Sequence, residues 1–349
     1  MEGERVAFSP TPAGNPRASV IVATRDRSDR VRATLDALDG QDGVAGAFEV
    51  VVVDDGSADD TFAVLVHEWL DRRDAPARIA VRSPRPLGPG AARNLGVRHA
   101  RAPVLAFLDD DCVPEPDWLA NLIAPLASAE VGAVGGAEGV LADQPPLARA
   151  AHFALTSPLT TLRVRGGAGP RGARYRPRGF SMAVRRADFD GVGGFPARAH
   201  GEDLELAVRL ERAGHRLVHE PRARVRHRRR TTVLALWRQA YAMGRARASL
   251  VRTSRGHAEP LYFLPPLALL VGTAAGAAAL LSPRRPLPLL VGVAAACAYA
   301  AVAGVAAARA GRDRALAWRV AVVFLVGQVA YGLGFLVGVV RPERDFSVR

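Results

Sequence analysis

Lysine is absent: all 47 basic residues of this 349-residue chain are arginine, a bias of composition that carries no mechanism of its own. Cysteine is nearly absent too. Cys112 and Cys297 stand alone, which excludes a disulfide framework and any cysteine-spaced metal motif, and suits a reducing compartment. The first residues, MEGERVAFSPTPAGNPR, lack the apolar core and cleavage site of a secretory signal, so the soluble part is expected in the cytosol. No G-x-G-x-x-G follows the first apolar run, which argues against a dinucleotide-dependent dehydrogenase. Acidic residues are scarce only at one end. Residues 1–220 hold 27 Arg against 30 acids, a net of −3, whereas residues 221–349 hold 20 Arg against four acids, a net of +16. The overall charge of +13 therefore belongs to the part of the chain that also carries the long apolar runs. That pairing points to an anionic membrane surface rather than to nucleic acid.

What is present reads as alternating strands and helices. Residues 1–17 are polar and contain Pro and Gly, as a disordered N-terminus would. SVIVAT (19–24), FEVVVV (48–53) and VLAFL (104–108) are short, β-branched or apolar runs of strands buried on both faces, with a weaker strand at 79–81. Helices are expected near 31–38, 61–70, 91–99 and 201–214. This alternation predicts a mostly parallel α/β sheet, whose ligands bind beyond the carboxyl ends of its strands. Three polar clusters fall at such ends: Thr24-Arg25-Asp26, Asp54-Asp55 and Asp109-Asp110-Asp111. Residues 141–178 are rich in Pro, Gly and Arg and show no period, as a long functional loop would. Arg then recurs from 222 to 255 among Leu234, Trp237, Tyr241 and Leu250, the pattern of a helix lying in a membrane interface. Apolar runs at 261–281, 287–308 and 318–340 each approach the ~20 residues that span a bilayer. The Arg-rich 222–255 stretch abutting the first run places that side in the cytoplasm, and three spans would then leave the C-terminus outside.

Phe107-Leu108-Asp109-Asp110-Asp111 is the strongest chemical signal. A buried strand delivering carboxylates to its tip suits a hard divalent cation, which can bridge the phosphates of a nucleotide diphosphate. The ordered set SVIVATRDR, VVVDDGSADDT, GPGAARNLG and FLDDDCVPEPDWL resembles the family 2 glycosyltransferases over residues 18–232. The resemblance implies the GT-A fold, with a nucleotide-binding half at 18–115 and an acceptor half at 116–232. It also implies Thr24, Asp26, Asp54, Asp55, Arg93 and Asp110 as nucleotide-sugar contacts. Asp109, Asp111 and His227 would hold Mn²⁺ or Mg²⁺, the two aspartates being the ends of the family's D-x-D signature. Gly179–Arg186, with Ser181, Met182 and Arg185, and VGGF at 192–195 resemble its acceptor-side segment. Glu202-Asp203 resembles its E-D pair, with Asp203 the general base of an inverting transfer and Glu202 positioning it or the donor. His219 competes with His227 for the role of ligand.

Departures from the family pattern are also visible. Arg25 and Asp26 replace the common aromatic and Asn, Pro196 replaces the Asp after GGF, and no Q-x-x-R-W follows the E-D pair. The last, with no apolar run before the catalytic domain, predicts transfer of single residues rather than polymerisation with export. The expected organisation is therefore a catalytic domain at 18–232, an amphipathic interfacial segment at 233–258 and a membrane region at 259–349. The enzyme would sit in the cell (inner) membrane with its catalytic domain cytoplasmic. It would use a nucleotide-sugar donor and a lipid-linked or cell-envelope glycan acceptor, and no nucleic acid. Two alternatives are a polyprenyl-phosphate sugar synthase, with the Arg-rich 163–186 stretch binding the lipid phosphate, and a catalytically silent membrane adaptor of the same fold.

Overall fold

A computed structural model describes residues 3–9, 14–44, 48–72, 76–141, 143–156, 175–196, 200–253, 258–281, 292, 305 and 314–341. It divides into two units, residues 1–141 with 164–228 and 345–349, and residues 142–163 with 229–344. In the first unit the chain begins with β1 (Arg5–Phe8), where disorder was expected. β1 pairs antiparallel with β4, Arg5 opposite Arg82, through backbone bonds that side-chain pattern does not reveal; Phe8 itself remains exposed. Next come β2 (Ala18–Thr24), α1 (Val31–Asp39), β3 (Phe48–Asp54), α2 (Thr61–Val64, continued by a π-turn to Trp69), β4 (Ala77–Arg82), α3 (Pro89–His99) and β5 (Val104–Asp109). β6 (Cys112–Pro114), α4 (Trp118–Ile123), β7 (Val131–Val140), α5 (Pro146–Thr156), β8 (Ser181–Arg185), α6 (Arg186–Gly191), α7 (Glu202–Arg212) and β9 (Arg216–His227) follow.

All nine strands form one sheet in the order β1-β4-β3-β2-β5-β8-β7-β9-β6. β4, β3, β2 and β5 run parallel, so β2 is the point where strand order reverses: β3 lies on one side and β5 on the other. Register places Thr24 beside Asp54, and Ala23 beside Asp109, so the three polar tips open at the same edge. That is where a doubly wound sheet leaves a crevice. Alternation along β2 explains the layers. Val20 and Val22 meet Val31, Leu35 and Leu38 of α1 on one face, while Ile21 meets Ala92 and Leu95 of α3 on the other. Each such buried side chain contributes about 1.5–3 kcal/mol. Gly96 lets α3 approach closely, since a Cβ there would lie 2.7 Å from Ile21 Cγ2.

The second unit corrects the expected domain boundary at 232. Inside the stretch read as an unstructured loop, α5 forms and buries Ala150, Ala151 and Ala154 against Leu236, Val320 and Val323. α5 thus belongs with α8 (Val233–Thr253), α9 (Leu264–Leu281) and α10 (Arg314–Val340), although the sheet resumes after it. The expected interfacial helix is α8, but one side of it is covered by α10 rather than open. A Cβ on Gly244 would lie 2.1 Å from Tyr331 O, and one on Gly334 would lie 2.1 Å from Tyr241 O, so backbone touches backbone. Small residues permit that approach in helix pairs. Among the described residues two helices, Pro260–Ala279 and Leu316–Val340, are long and apolar enough to cross a membrane. The expected middle span at 287–308 lies outside the described residues, apart from two isolated positions.

Candidate active site

Asp55 ends the β3 tip and organises the loop before α3, its two carboxylate oxygens accepting Leu87 N–H at 2.7 Å and Gly88 N–H at 2.9 Å. Burial raises its pKa, and those two N–H groups oppose the rise. Asp54 is fully buried, accepts Ser57 N–H at 3.0 Å and lies 3.4 Å from Arg82 Nε. Asp26 adopts φ 52°, a left-handed conformation uncommon outside glycine, and its carboxylate accepts Ala58 N–H at 2.7 Å. Its own N–H donates to Ser57 Oγ at 2.9 Å, tying the loops after β2 and β3 together. A cavity of about 330 Å³ opens beside this loop, lined in part by Arg5, Gly56, Ser57 and Arg82. Thr24 Oγ1 donates to Asp110 at 2.7 Å, and burial with the charge of Asp111 pushes Asp110 up to about 6.

Arg93, expected at the nucleotide pocket, lies between the β5 tip and the start of α7. Its buried guanidinium is spent on two carboxylates, Asp109 at 2.6 Å and Glu202 at 2.7 Å. Burial would lower its pKa, but those two charges outweigh burial and raise it. Asp109, expected as a metal ligand, pairs through Oδ1 with Arg93, and burial raises its pKa. Glu202 is pushed up to about 7, chiefly by burial, with Arg93 opposing. This carboxylate–guanidinium–carboxylate chain fastens the first turn of α7 to the β5 tip. Asp203, the next residue, stays partly exposed; its Oδ1 accepts Leu204 N–H at 2.7 Å and its Oδ2 accepts Gly179 N–H at 3.3 Å.

Three side chains do converge as metal donors: Asp111, Cys112 and His227, with ligand atoms all within 4.8 Å of one another. β6 pairs with β9 so that Cys112 lies directly opposite His227. His227 Nε2 lies 3.0 Å from Asp111 Oδ1, and its Nδ1 lies 2.5 Å from Glu138 Oε1. Burial would lower the pKa of His227, but the neighbouring Cys112 and Asp111 raise it well above its usual value. Burial pushes the Cys112 thiol up to about 12. His219, the rival histidine, packs against Tyr175 instead, with ring centroids 4.9 Å apart and planes tilted by 59°.

Sequence reasoning missed Cys112 and Glu138. Cys112 has no spaced partner in sequence because its neighbours come from β9. Glu138 did leave a signal, a single acid on a strand otherwise made of small and apolar residues (VGAVGGAEGV). The expected acceptor-side residues are corrected. Met182 lies wholly in the core, and Ser181 is buried with its Oγ accepting Trp118 Nε1–H at 2.8 Å. Arg185 donates to the carbonyls of Val131 and Leu126 at 2.6 Å each and pairs with Asp188. Strand alternation explains the miss: a motif segment inside a sheet turns most of its side chains into the layers.

This sheet, with its switch point at β2 and carboxylates at the strand tips, has the GT-A architecture. The sequence profile of "Glycosyl transferase family 2" matches residues 19–188, and that of "Glycosyl transferase family group 2" matches residues 104–332. The chain belongs to the family 2 glycosyltransferases. It is 32% identical over 251 residues to the "Pre-mycofactocin glycosyltransferase" of Mycobacterium tuberculosis, a match covering 70% of this chain and 50% of that protein. It is 31% identical over 235 residues to the "O-antigen biosynthesis protein RfbC" of Myxococcus xanthus, covering 61% of this chain and 17% of that one. The chain thus spans at most about half the length of these two relatives. In fold it is similar to the mannosyltransferase PcManGT from Pyrobaculum calidifontis in complex with GDP-Man and Mn²⁺, with a TM-score of 0.60 at 24% identity. That likeness covers 97% of this chain and 90% of PcManGT.

Proposed function

We propose that this protein is a membrane-bound, inverting glycosyltransferase that moves one sugar from a nucleotide-diphosphate donor to a lipid-linked or cell-envelope glycan. The observation that carries the reading is the joining of two carboxylate centres by one buried arginine. Asp109–Arg93–Glu202 fastens the β5 tip, where Asp111 meets His227, to the helix start that presents Asp203. The donor set of carboxylate and imidazole fits a divalent ion, and Glu138 on the far ring nitrogen is the kind of partner that orients a ligating histidine. Asp111 and His227 would hold Mn²⁺ or Mg²⁺, which when bound supplies neutralising charge to the departing diphosphate. PcManGT was solved with GDP-Man and Mn²⁺, which supports a nucleotide-sugar donor and a divalent metal of the same kind here.

The protein's own residues would do the rest. Asp55, with Asp54, Thr24 and Asp26, would shape the base end of the donor site, and Asp110 its phosphate end. Asp203 would accept the proton of the acceptor hydroxyl as that oxygen bonds to the anomeric carbon and the bond to phosphate oxygen breaks. The catalytic unit would comprise the sheet and its helices to residue 228, and α8–α10 with α5 the anchor. The catalytic face would then lie on the cytoplasmic side of the cell membrane. Among the described residues of the Arg-rich stretch, Arg176 pairs with Glu211 at 3.0 Å and Arg185 and Arg186 donate to backbone carbonyls, while Arg178 lies 3.9 Å from Asp203, so the synthase reading stays an outcome of the test.

The test is transfer from radiolabelled nucleotide-sugars into membrane lipid and glycan fractions with Mn²⁺. Asp203→Asn should lower kcat by about 10²–10⁴ while leaving donor affinity intact, and Asp111→Ala should abolish the metal-dependent donor binding. An Asp203→Asn enzyme with unchanged kcat would remove Asp203 from this role. A product confined to mild-acid-labile lipid would favour the polyprenyl-phosphate synthase.

A further inference from the structure

We propose that Asp111, Cys112 and His227 together form a site for a thiophilic divalent ion such as Zn²⁺ or Cd²⁺, which displaces the harder ion that sugar transfer uses. The displacement rests on the metal reading above; the site itself stands on geometry alone. One oxygen, one nitrogen and one sulfur donor lie within 4.8 Å of one another. Around tetrahedral zinc, with bonds of about 2.0–2.3 Å, ligand atoms sit about 3.5 Å apart, so side-chain rotation of roughly an ångström completes the set. Two backbone constraints hold the donors there. Cys112 and His227 are directly paired across β6 and β9, and Arg228 N–H donates to the Asp111 carbonyl at 2.8 Å. Glu138 at Nδ1 directs Nε2 of the imidazole toward Asp111, the carboxylate–histidine arrangement that raises ligand basicity. Asp109 lies outside this group and pairs through Oδ1 with Arg93, so a fourth position would be open to water or a phosphate oxygen.

Donor chemistry separates the two kinds of ion. Mn²⁺ and Mg²⁺ favour oxygen and leave the thiol protonated, so they use Asp111 and His227 alone. Zn²⁺ and Cd²⁺ add the sulfur: the S–H proton is released to solvent as the metal–sulfur bond forms, and no oxidant or reductant is needed. Affinity also runs in that direction, with Mn²⁺ the weakest binder of the divalent series and Zn²⁺ well above it.

The experiment uses the full chain in detergent with Cys297→Ser, so that Cys112 is the only thiol. Titration with Cd²⁺ alone should produce an ultraviolet thiolate-to-metal charge-transfer band that saturates at one ion per chain. The chain with both cysteines replaced by serine should give no band, and Glu138→Gln added to Cys297→Ser should keep the band but bind about 10–100-fold more weakly. Absence of the band in the Cys297→Ser chain, or an undiminished band when His227→Ala is added to it, overturns the site. That first result needs no Cys112 variant to fold. Displacement is read from the electron paramagnetic resonance of Mn²⁺ bound with a nucleoside diphosphate. One equivalent of Zn²⁺ should release it from the wild type, and Cys112→Ser should need at least about tenfold more. Equal Zn²⁺ requirements overturn the displacement. A cadmium band without any Mn²⁺–nucleotide binding would sink the transferase metal reading and leave the thiophilic site standing.

Discussion

Arg93 is the residue on which the site's electrostatics turn. It neutralises Asp109 and Glu202 at 2.6 and 2.7 Å from a buried position, so removing it strands two carboxylates. Arg93→Met should cost about 3–5 kcal/mol, measured by denaturant unfolding of the purified protein. Glu202 offers a test with a sign. Its carboxyl ionises near 4.5 in an unfolded chain and near about 7 in the folded one, because burial outweighs the pull of Arg93. Between those values the folded chain holds a proton that the unfolded chain has released, so stability falls as pH rises. The contribution of the neutral carboxyl is complete below 4.5 and gone above about 7. Glu202→Gln cannot ionise, and its Tm relative to wild type should climb between about pH 5 and about pH 8. A difference that stays level with pH would mean that Glu202 is ionised throughout. At this scale the sequence carried residue types and their order. Asp111, His227 and the Glu202-Asp203 pair were legible from motif resemblance. The pairing of Arg93 and the company of Cys112 were not, since both depend on chain segments far apart in sequence.

Elements were legible wherever burial on both faces left a run of β-branched residues. β2, β3 and β5 fell where SVIVAT, FEVVVV and VLAFL predicted them. β1 and α5 were not legible, for different reasons. A four-residue edge strand is held by backbone bonds and needs no side-chain pattern. α5 buries a face made of alanines, and it lies in a stretch whose Pro and Gly content suggested a loop. The α8–α10 pair makes a prediction of its own. Backbone contact at Gly244 and Gly334 leaves no room for a side chain. Gly244→Val should force the helices apart and cost about 1–3 kcal/mol, seen as faster proteolysis within α8 and a lower Tm. Gly272, with open space around its missing Cβ, is the control: Gly272→Ala should change neither.

For the whole molecule, α5 makes the helical unit discontinuous in sequence. Its buried face is made by α8 and α10, so a chain cut after residue 232 would expose Ala150, Ala151 and Ala154 without partners. Such a truncation should yield aggregated rather than soluble catalytic domain, checked by size-exclusion chromatography. The full chain should sediment with membranes and resist extraction by high salt and alkaline carbonate, yet be released by detergent. Extraction by salt alone would reduce the two apolar helices to ordinary core helices. By itself the sequence determined the α/β class, the carboxylates at strand ends and the separation of a near-neutral catalytic half from a basic, apolar one. Those follow from local pattern: apolar period, run length and charge count are properties of neighbouring residues. Only the tertiary structure decided that Arg93 pairs with Asp109 and Glu202, that Cys112 joins Asp111 and His227, and that α5 belongs to the helical unit. Each of these is set by strand register or helix packing between distant segments, where free energy depends on what is brought together rather than on what lies adjacent in the chain.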